Sequence, residues 1–251
     1  MARHGKNYRN ARAAIDRERL YGPLEGIKAL KEMKTASFDE TVEVHFHLGL
    51  NVRHAEQQLR GTLMLPHGTG REVRIAVFAD GDKAREAEQA GADVVGTADL
   101  AAKVEEGFDE FDVAIATPDQ MGVVGRLGRI LGPRGKMPNP KTGTVTFDVG
   151  KAVQDAKAGK LEYRTDRGAN VHVAIGKKSF DERQLLENYA TLVEELVRAK
   201  PAAAKGRYIH AITLTSTMGP GIHLDPGRTR NIVDEEEESA VADSSKEIIS
   251  A

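Results

Sequence analysis

The sequence predicts a mixed fold, in which α+β segments at both ends of the chain enclose an α/β segment with the three layers of a Rossmann-like domain. Residues 41–50 (TVEVHFHLGL) alternate apolar and polar side chains, which is typical of a strand with one buried face. Residues 73–158 instead alternate short apolar runs with helical patterns, which favours a small open sheet with helices on both faces. Strand-like alternation returns at residues 161–175 and 207–218. This order allows either an α/β domain inserted into a split α+β domain or two domains in sequence.

Each predicted element follows from its local pattern. Apolar side chains at three- and four-residue intervals predict helices at residues 23–34, 84–90, 99–106, 122–131 and 149–158. Alternation or short apolar runs predict strands at residues 41–50, 60–65, 73–78, 93–95, 112–116, 161–164, 170–175 and 207–218. A long amphipathic helix is expected to begin after Ser179, which can cap it, and to end before Pro201. Residues 66–70 and Gly159 are candidate hinges.

Composition excludes several classes of protein. The 251 residues include no cysteine, so disulfides, thiol catalysis and cysteine-ligated zinc are excluded. No apolar run approaches the roughly 18 residues that span a bilayer, and the N-terminal segment lacks the apolar core of a secretory signal, so a cytoplasmic location is expected. The formal net charge of −2 is uneven, because residues 234–251 carry seven acidic side chains against one lysine and leave the rest mildly basic. Residues 230–251 are predicted to form a disordered acidic tail.

The histidines give little support for an enzyme. Eight of them are scattered along the chain without a nucleophile motif beside them, so no catalytic residue is assigned. Glu43, His45 and His47 share one face of a predicted strand, as metal ligands can, but no further ligand is identified. A strand face turned to solvent or to RNA is the favoured interpretation. We therefore predict a protein that is not an enzyme and has no metal and no cofactor.

The most informative segment is residues 122–141 (GVVGRLGRILGPRGKMPNPK). Its first half has helical apolar spacing, and Gly132-Pro133 ends that pattern because proline lacks the N–H of a further turn. No acidic residue occurs from position 120 to position 147, whereas the segment carries the cations Arg126, Arg129, Arg134, Lys136 and Lys141. Unopposed cations in a stiffened loop suit a polyanion such as an RNA backbone, although a solvated basic loop has the same pattern. A nucleotide-hydrolysis loop is excluded, because Ile130 stands where that motif needs glycine and Met137 where it needs serine or threonine.

Residues 127–145 (LGRILGPRGKMPNPKTGTV) resemble the diagnostic segment of the L-one family of large-subunit ribosomal proteins. Residues 36–44 (ASFDETVEV) and 215–220 (TSTMGP) resemble two further stretches of that family, and the similarity covers residues 3–229. The resemblance implies an inserted, hinged domain and so favours the first of the two arrangements. The expected domains are an rRNA-binding α+β domain split between residues 1–67 and 159–229, an inserted α/β domain at 68–158, and the acidic tail at 230–251.

The resemblance also implies a function and a set of partners. The protein is expected to be a structural constituent of the ribosome, to bind large-subunit rRNA directly at the lateral stalk, and to assist release of deacylated tRNA from the exit site. Other large-subunit components are further expected partners, as is its own operon messenger RNA, whose translation it would repress. The expected state is monomeric when free, ribosome-associated in the cytoplasm, and independent of membranes.

Site residues carry over where this sequence matches the motifs of the family. The expected rRNA contacts are Phe38, Thr41, Glu43, His45, Asp166, Arg167, Thr215, Thr217, Met218 and Gly219, with Arg3 and Lys6 adding attraction for phosphates. The expected tRNA-facing loop of the second domain carries Arg126, Arg129, Arg134, Lys136, Asn139 and Lys141. Phe38 and Met218 would instead be core residues, and the threonines ordinary strand residues, if these stretches served folding alone.

The alternative function is a small-ligand or phosphate-binding module, unrelated to the ribosome, built on the α/β segment. Folds of this class often bind nucleotides at glycine-rich turns. Only a lone Gly81 follows the strand that ends at Phe78, in place of the G-x-G-x-x-G fingerprint. The missing fingerprint and the paired end motifs both favour RNA.

Overall fold

The structure, a computed structural model, describes residues 5–228, so Arg3 and the predicted acidic tail lie outside the described residues. The helices are α1 (Lys6–Ala13), α2 (Pro23–Glu32), α3 (Gly81–Gln89), α4 (Ala98–Glu105), α5 (Met121–Val124), α6 (Gly128–Leu131), α7 (Val149–Lys157) and α8 (Glu182–Arg198). The strands are β1 (Thr41–Leu48), β2 (Arg60–Met64), β3 (Ile75–Phe78), β4 (Val94–Gly96), β5 (Val113–Ala116), β6 (Lys160–Arg164), β7 (Asn170–Lys177), β8 (Ile209–Ser216) and β9 (Ile222–Leu224). None of the helices within residues 5–228 is long and apolar enough to cross a membrane.

The described chain divides into two compact units. Unit 2 comprises residues 60–64 and 71–162, and unit 1 comprises the remaining described residues. Residues 60–64 and 159–162, which the sequence assigned to the first domain, group with unit 2, where β2 contacts the 3-10 turn at Pro140–Thr142, whereas residues 68–70, assigned to the inserted domain, group with unit 1. That the units are separate domains, one inserted into the other, stays a prediction.

Unit 1 is built on an antiparallel sheet in the order β7-β1-β8-β9. The alternation predicted for β1 is confirmed, because Val42, Val44 and Phe46 are fully buried. Helices α2 and α8 pack on this apolar face, where the rings of Phe46 and Tyr189 stack with their centroids 6.4 Å apart. The opposite face, which we call the open face, carries the polar side chains of β1, β7 and β8. A sheet covered on one side in this way leaves its other side available for a ligand.

Helix α8 supplies most of the apolar cover of the sheet. Its buried side chains include Leu185, Leu192 and Leu196, as the predicted amphipathic stripe requires. The predicted cap is wrong: Asp181 and Gln184 form a capping box at the first turn, and these two side chains satisfy the free N–H groups there. The hydroxyl of Ser179 donates instead to the carboxylate of Asp39 at 2.8 Å.

A buried carboxylate, Glu40, joins the segments that flank β1 and β8. Only 1% of its side chain is exposed. Its Oε1 accepts the backbone N–H of Met218 at 2.9 Å, and its Oε2 accepts the hydroxyl of Thr35 and lies 3.5 Å from Nζ of Lys178. Because a carboxylate is tolerated in a protein interior only when its oxygens are bonded, these partners hold their segments together.

Unit 2 contains a parallel sheet in the order β4-β3-β5 with helices on both faces, as the sequence predicts for an α/β segment. On one face Phe78 packs in a cluster with Leu100 of α4 and Leu127. On the other face Val77 packs in a cluster with Val153 of α7. The alternating strands and helices therefore give three layers.

The helix predicted at residues 122–131 is wrong as a continuous element. The segment forms α5, a 3-10 turn at Gly125–Leu127 and α6. Glycine is a poor helix former, and it recurs here at positions 122, 125, 128 and 132. The apolar spacing is nevertheless confirmed, because Val124, Leu127 and Leu131 are fully buried.

The basic loop after α6 is tied to the body of unit 2 by Lys136. Its Nζ donates to the carboxylate of Asp109 at 2.7 Å and to the carbonyl of Phe111 at 2.5 Å, and it lies 5.0 Å from the centre of the Phe111 ring. Arg134 forms a second ion pair with Asp109 at 2.9 Å. The hydrogen bond from Lys136 is the main reason that the pKa of Asp109 lies below its usual range. The prediction of unopposed cations is therefore wrong for Arg134 and Lys136, because their partner comes from outside the segment.

Replacing Glu40 is expected to destabilise unit 1. Glu40→Ala removes the carboxylate beside Lys178 and leaves the N–H of Met218 without an acceptor, so we expect the free energy of unfolding to fall by about 3 kcal/mol. All five tyrosines lie in unit 1 and the chain has no tryptophan, so tyrosine fluorescence during urea unfolding measures this unit selectively. The control is Glu25→Ala, which removes an exposed ion pair with Arg19 and is expected to cost less than about 1 kcal/mol. Equal losses in the two variants would contradict the role of Glu40.

Replacing Lys136 is expected to loosen the basic loop. Lys136→Met keeps the length of the side chain but removes its donations to Asp109 and Phe111, so amides of residues 132–138 should exchange with solvent at least about tenfold faster. Hydrogen exchange read by mass spectrometry on that peptide measures the effect. The matched control is Lys141→Met, an exposed lysine of the same loop, which should leave the exchange unchanged. Similar exchange in both variants would show that the ammonium of Lys136 does not hold the loop.

Candidate nucleic-acid interface

The structure brings together the two stretches that lie at opposite ends of the sequence. The hydroxyl of Thr217 accepts the N–H of Thr41 at 3.0 Å, and the N–H of Thr217 donates to the carbonyl of Thr41 at 3.1 Å. One step along the sheet, Glu43 of β1 stands opposite Thr215 of β8. We call the resulting patch the motif surface; it consists of Phe38, Thr41, Glu43, His45, Thr215, Thr217, Met218 and Gly219.

Two large apolar side chains of the motif surface are turned outward. Phe38 is 56% exposed and Met218 is 55% exposed, so the interpretation of these residues as core is wrong. The main chain holds Met218 in place through its N–H bond to Glu40. The next residue, Gly219, has to be a glycine, because a Cβ at this position would lie 2.4 Å from Oγ of Ser216. The turn after β8 thus presents a methionine side chain that does not contribute to the core.

Asp166 and Arg167 lie on the turn that precedes β7. Oδ1 of Asp166 accepts the N–H groups of Gly168 and Asn170 at 2.8 and 2.7 Å, and its Oδ2 accepts from Nδ2 of Asn170 at 3.0 Å. Partial desolvation would raise the pKa of Asp166, but the hydrogen bonds from Asn170, Gly168 and His172 outweigh it and lower the pKa from 3.8 to about 2. Asp166 therefore shapes the turn, while Arg167 is exposed beside it.

A chain of polar side chains connects this turn with the motif surface across the open face. Nδ1 of His45 lies 2.9 Å from Nδ1 of His172, and Nε2 of His172 lies 3.5 Å from Asp166. At the other end, Nε2 of His45 lies 3.9 Å from Glu43. One of the two facing Nδ1 atoms has to accept, so the pair does not hold two imidazolium ions in this geometry. The pKa of His45 is lowered by burial and by His172, and Glu43 offsets part of the effect.

The arrangement does not form a metal site. His47 turns to Asn170, with 2.8 Å between Nδ1 and Oδ1, and does not join Glu43 and His45 around a common point. Within residues 5–228 no group of three histidine, cysteine or acidic side chains is placed to hold a metal ion.

The residues of unit 2 that are predicted to face tRNA fall into two groups: some shape the loop, and the others carry exposed positive charge. Arg126, Arg129 and Lys141 are exposed and have no ion-pair partner in the described part of the chain. Arg134 and Lys136 are paired with Asp109, as described above. Asn139 shapes the loop, because its Oδ1 accepts the N–H of Lys141 at 2.8 Å.

Two residues that the sequence did not single out organise the site. Glu40 and Lys178 position the motif surface, but neither belongs to a pattern that predicts burial. Lys6 is exposed on α1. The same helix contacts the Glu40 network through Asn7, whose Nδ2 donates to the carbonyl of Thr35 at 3.4 Å.

Comparison with known proteins gives a consistent result. A sequence model of the Ribosomal protein L1p/L10e family matches residues 30–220. The large ribosomal subunit protein uL1 of Rubrobacter xylanophilus is 61% identical over 227 residues, which cover 90% of this chain and 99% of that protein. The proteins of the same name from Thermobifida fusca and Streptomyces coelicolor are 59% and 56% identical, over 91% and 96% of this chain and 97% and 100% of their own lengths. The chain belongs to the Ribosomal protein L1p/L10e family.

Proposed function

We propose that this protein is a structural constituent of the large ribosomal subunit and binds large-subunit rRNA directly through the motif surface. Family membership and the names of its relatives support the ribosomal role. The observation that carries the RNA-binding proposal is the convergence of two distant stretches into one exposed patch around Phe38 and Met218. Folding does not require these exposed apolar side chains, whereas exposed ribose and base faces provide a surface on which they pack.

The chemistry of the motif surface suits RNA. Hydroxyl groups of Thr215 and Thr217 and the carboxylate of Glu43 are groups that bond to ribose 2′-hydroxyls, which distinguish RNA from DNA. His45 has a lowered pKa and is therefore mostly neutral near pH 7, so it contributes hydrogen bonds more than attraction for phosphates. Arg167 supplies that attraction at the edge of the patch.

For unit 2 we propose the role of an inserted, hinged domain that reaches toward tRNA at the exit site and assists its release when deacylated. Exposed Arg126, Arg129 and Lys141 support this role, because phosphates attract cations that have no carboxylate partner. The same RNA-binding surface of unit 1 would repress translation of the operon messenger by binding a similar RNA element. The protein would act in the cytoplasm on the ribosome, as a monomer when free, without catalysis.

The alternative, a small-ligand module, has one observation in its favour. Unit 2 contains a cavity of about 220 Å³ lined by Thr142, Lys136 and Lys160 among others. Two of these polar groups already have partners, because Lys136 is held by Asp109 and the hydroxyl of Thr142 donates to the carbonyl of Asn139 at 3.1 Å. The cavity therefore supports ligand binding less well than the motif surface supports RNA binding.

Replacing Met218 tests the rRNA proposal. Binding is measured by filter titration of the full chain against a stalk rRNA fragment and a duplex of equal length at several salt concentrations. The unaltered protein is expected to prefer the fragment by roughly 10³-fold at physiological salt. Met218→Asp places a carboxylate against RNA and should weaken binding to the fragment by at least roughly tenfold, because of repulsion and desolvation.

Two control variants show whether a loss of affinity is specific to Met218. Leu20→Asp changes a residue of unit 1 that is 56% exposed, nearly the same as Met218, and Arg134→Ala changes the loop of unit 2. Both are expected to keep the affinity for the rRNA fragment. A Met218→Asp protein with an unchanged melting curve and unchanged affinity would overturn the assignment of the motif surface. Equal, steeply salt-dependent binding of the unaltered protein to both RNAs would overturn specific rRNA binding itself.

The histidine pair gives a prediction about pH. The pKa of His45 lies below 6.5 in the folded protein, so the unfolded state binds more protons at this residue and stability falls as the pH drops through and below 6.5. In His172→Gln the pKa of His45 should rise but remain below 6.5, because burial is the larger cause and persists. NMR titration of the histidine ring C–H signals measures it, with His54→Gln as the control for loss of an exposed histidine. A His45 midpoint unaffected by His172→Gln would show that the two rings are not coupled.

A further inference from the structure

The end of the open face farthest from Phe38 and Met218 carries a groove. Two depressions of about 670 and about 390 Å³ adjoin there and share Val52, Arg53 and Arg167. The first also reaches Arg164, and the second reaches His47 and His210. We call this site the arginine groove and define it by Arg53, Arg164, Arg167, His47 and His210. All of these residues belong to unit 1.

The arginine groove carries a net positive charge. Arg53, Arg164 and Arg167 are exposed, and within residues 5–228 none of the three forms an ion pair. Asp166 is the one carboxylate among the residues that line the two depressions. Its oxygens accept hydrogen bonds from Gly168 and Asn170 and form no ion pair with an arginine, so one ionised carboxylate stands against three guanidinium groups and the groove keeps an excess of positive charge. Three guanidinium groups around a concave surface are suited to phosphate oxygens, which they bind in a bidentate manner.

A neighbouring histidine adds an acceptor to this cationic site. Nδ2 of Asn170 donates to Asp166 at 3.0 Å, so Oδ1 of Asn170 is the atom that faces His47. An amide oxygen only accepts, so Nδ1 of His47 donates and, in the neutral ring, Nε2 is the acceptor. An acceptor beside phosphate-binding arginines matches a ribose, whose 2′-hydroxyl donates.

We propose that the arginine groove binds the ribose-phosphate backbone of the same RNA segment that contacts the motif surface. β1 connects the two sites, since Thr41 begins it and His47 lies near its end. At about 3.3 Å per residue the strand is roughly 25 Å long, within the reach of one folded RNA segment. The inference rests on the proposed function for its ligand, but the two sites contribute differently: the groove binds phosphates at any sequence, and the motif surface selects the RNA.

The test removes two arginines and measures the salt dependence of binding. The double variant Arg53→Ala/Arg164→Ala should bind the stalk rRNA fragment and the duplex with similarly reduced affinity. The slope of log affinity against log salt should become shallower by roughly 2, about one for each phosphate that the variant no longer binds. The preference for the fragment over the duplex should stay within about threefold of that of the unaltered protein, because the motif surface is intact.

The matched control removes two arginines elsewhere. Arg12→Ala/Arg17→Ala takes the same charge from exposed residues of unit 1 that lie outside the groove and the motif surface, and should leave the slope unchanged. Equal changes of slope in both double variants would overturn the groove, because the effect would then be one of net charge. An unchanged slope in Arg53→Ala/Arg164→Ala would also overturn it. If the unaltered protein does not prefer the fragment, specific rRNA binding fails, and a slope change confined to the groove variant would still establish the phosphate site.

A second measurement separates ribose from phosphate recognition. A fragment with 2′-deoxy nucleotides should bind the unaltered protein more weakly than the all-RNA fragment. His47→Phe should reduce this difference while keeping the salt slope, because a phenyl ring has no acceptor for a 2′-hydroxyl. The same loss of affinity on 2′-deoxy substitution in both proteins would remove His47 from the proposed site.

Discussion

The bonding of one buried carboxylate fixes the geometry of the motif surface. Glu40 accepts the N–H of Met218 and bonds to Thr35 while facing Lys178, so three separate segments meet at a single side chain. The cost of burying an unpartnered carboxylate keeps these segments together whenever unit 1 is folded. Phe38 and Met218 are thus held at the surface by the main chain around them and not by packing of their own side chains. The fold exposes both side chains, although packing of the core does not require them to be exposed.

The division of the sheet into two faces explains why such a surface is available. Side chains of β1 alternate, so Val42, Val44 and Phe46 enter the core while Glu43, His45 and His47 remain on the open face. The apolar side, covered by α2 and α8, supplies the hydrophobic free energy for folding unit 1. Residues of the open face make polar contacts with one another, as in the pairs His45–His172 and His47–Asn170. These contacts orient side chains without enclosing them, which leaves their remaining polar atoms for a ligand.

The sequence predicts periodic features well and long-range pairing poorly. The strand β1 and the stripe of α8 are predictable because burial repeats every two or three to four residues. The segment at residues 122–131 keeps its apolar spacing but is not one continuous α-helix, because its glycines favour a 3-10 turn between α5 and α6 without changing that spacing. Glu40 and Lys178 are 138 positions apart, and Lys136 pairs with Asp109 across 27 positions, so no local pattern indicates either contact. Ser179 fails as a cap because Asp39, also distant in sequence, takes its hydroxyl.

The same limitation applies to electrostatics, where a run of cations is a poor guide to available charge. Residues 122–141 contain five cations and no acidic residue, yet Arg134 and Lys136 are paired with Asp109 and serve partly to shape the loop. Arg53 lies far from Arg164 and Arg167 in the sequence, and the fold brings all three to one groove, where none of them has an ion-pair partner within residues 5–228. A phosphate responds to the field of charges that remain uncompensated near it, so convergence matters more than local density. In this chain the cations best placed to bind a polyanion therefore lie around the turn between β6 and β7, where the fold brings separate segments together.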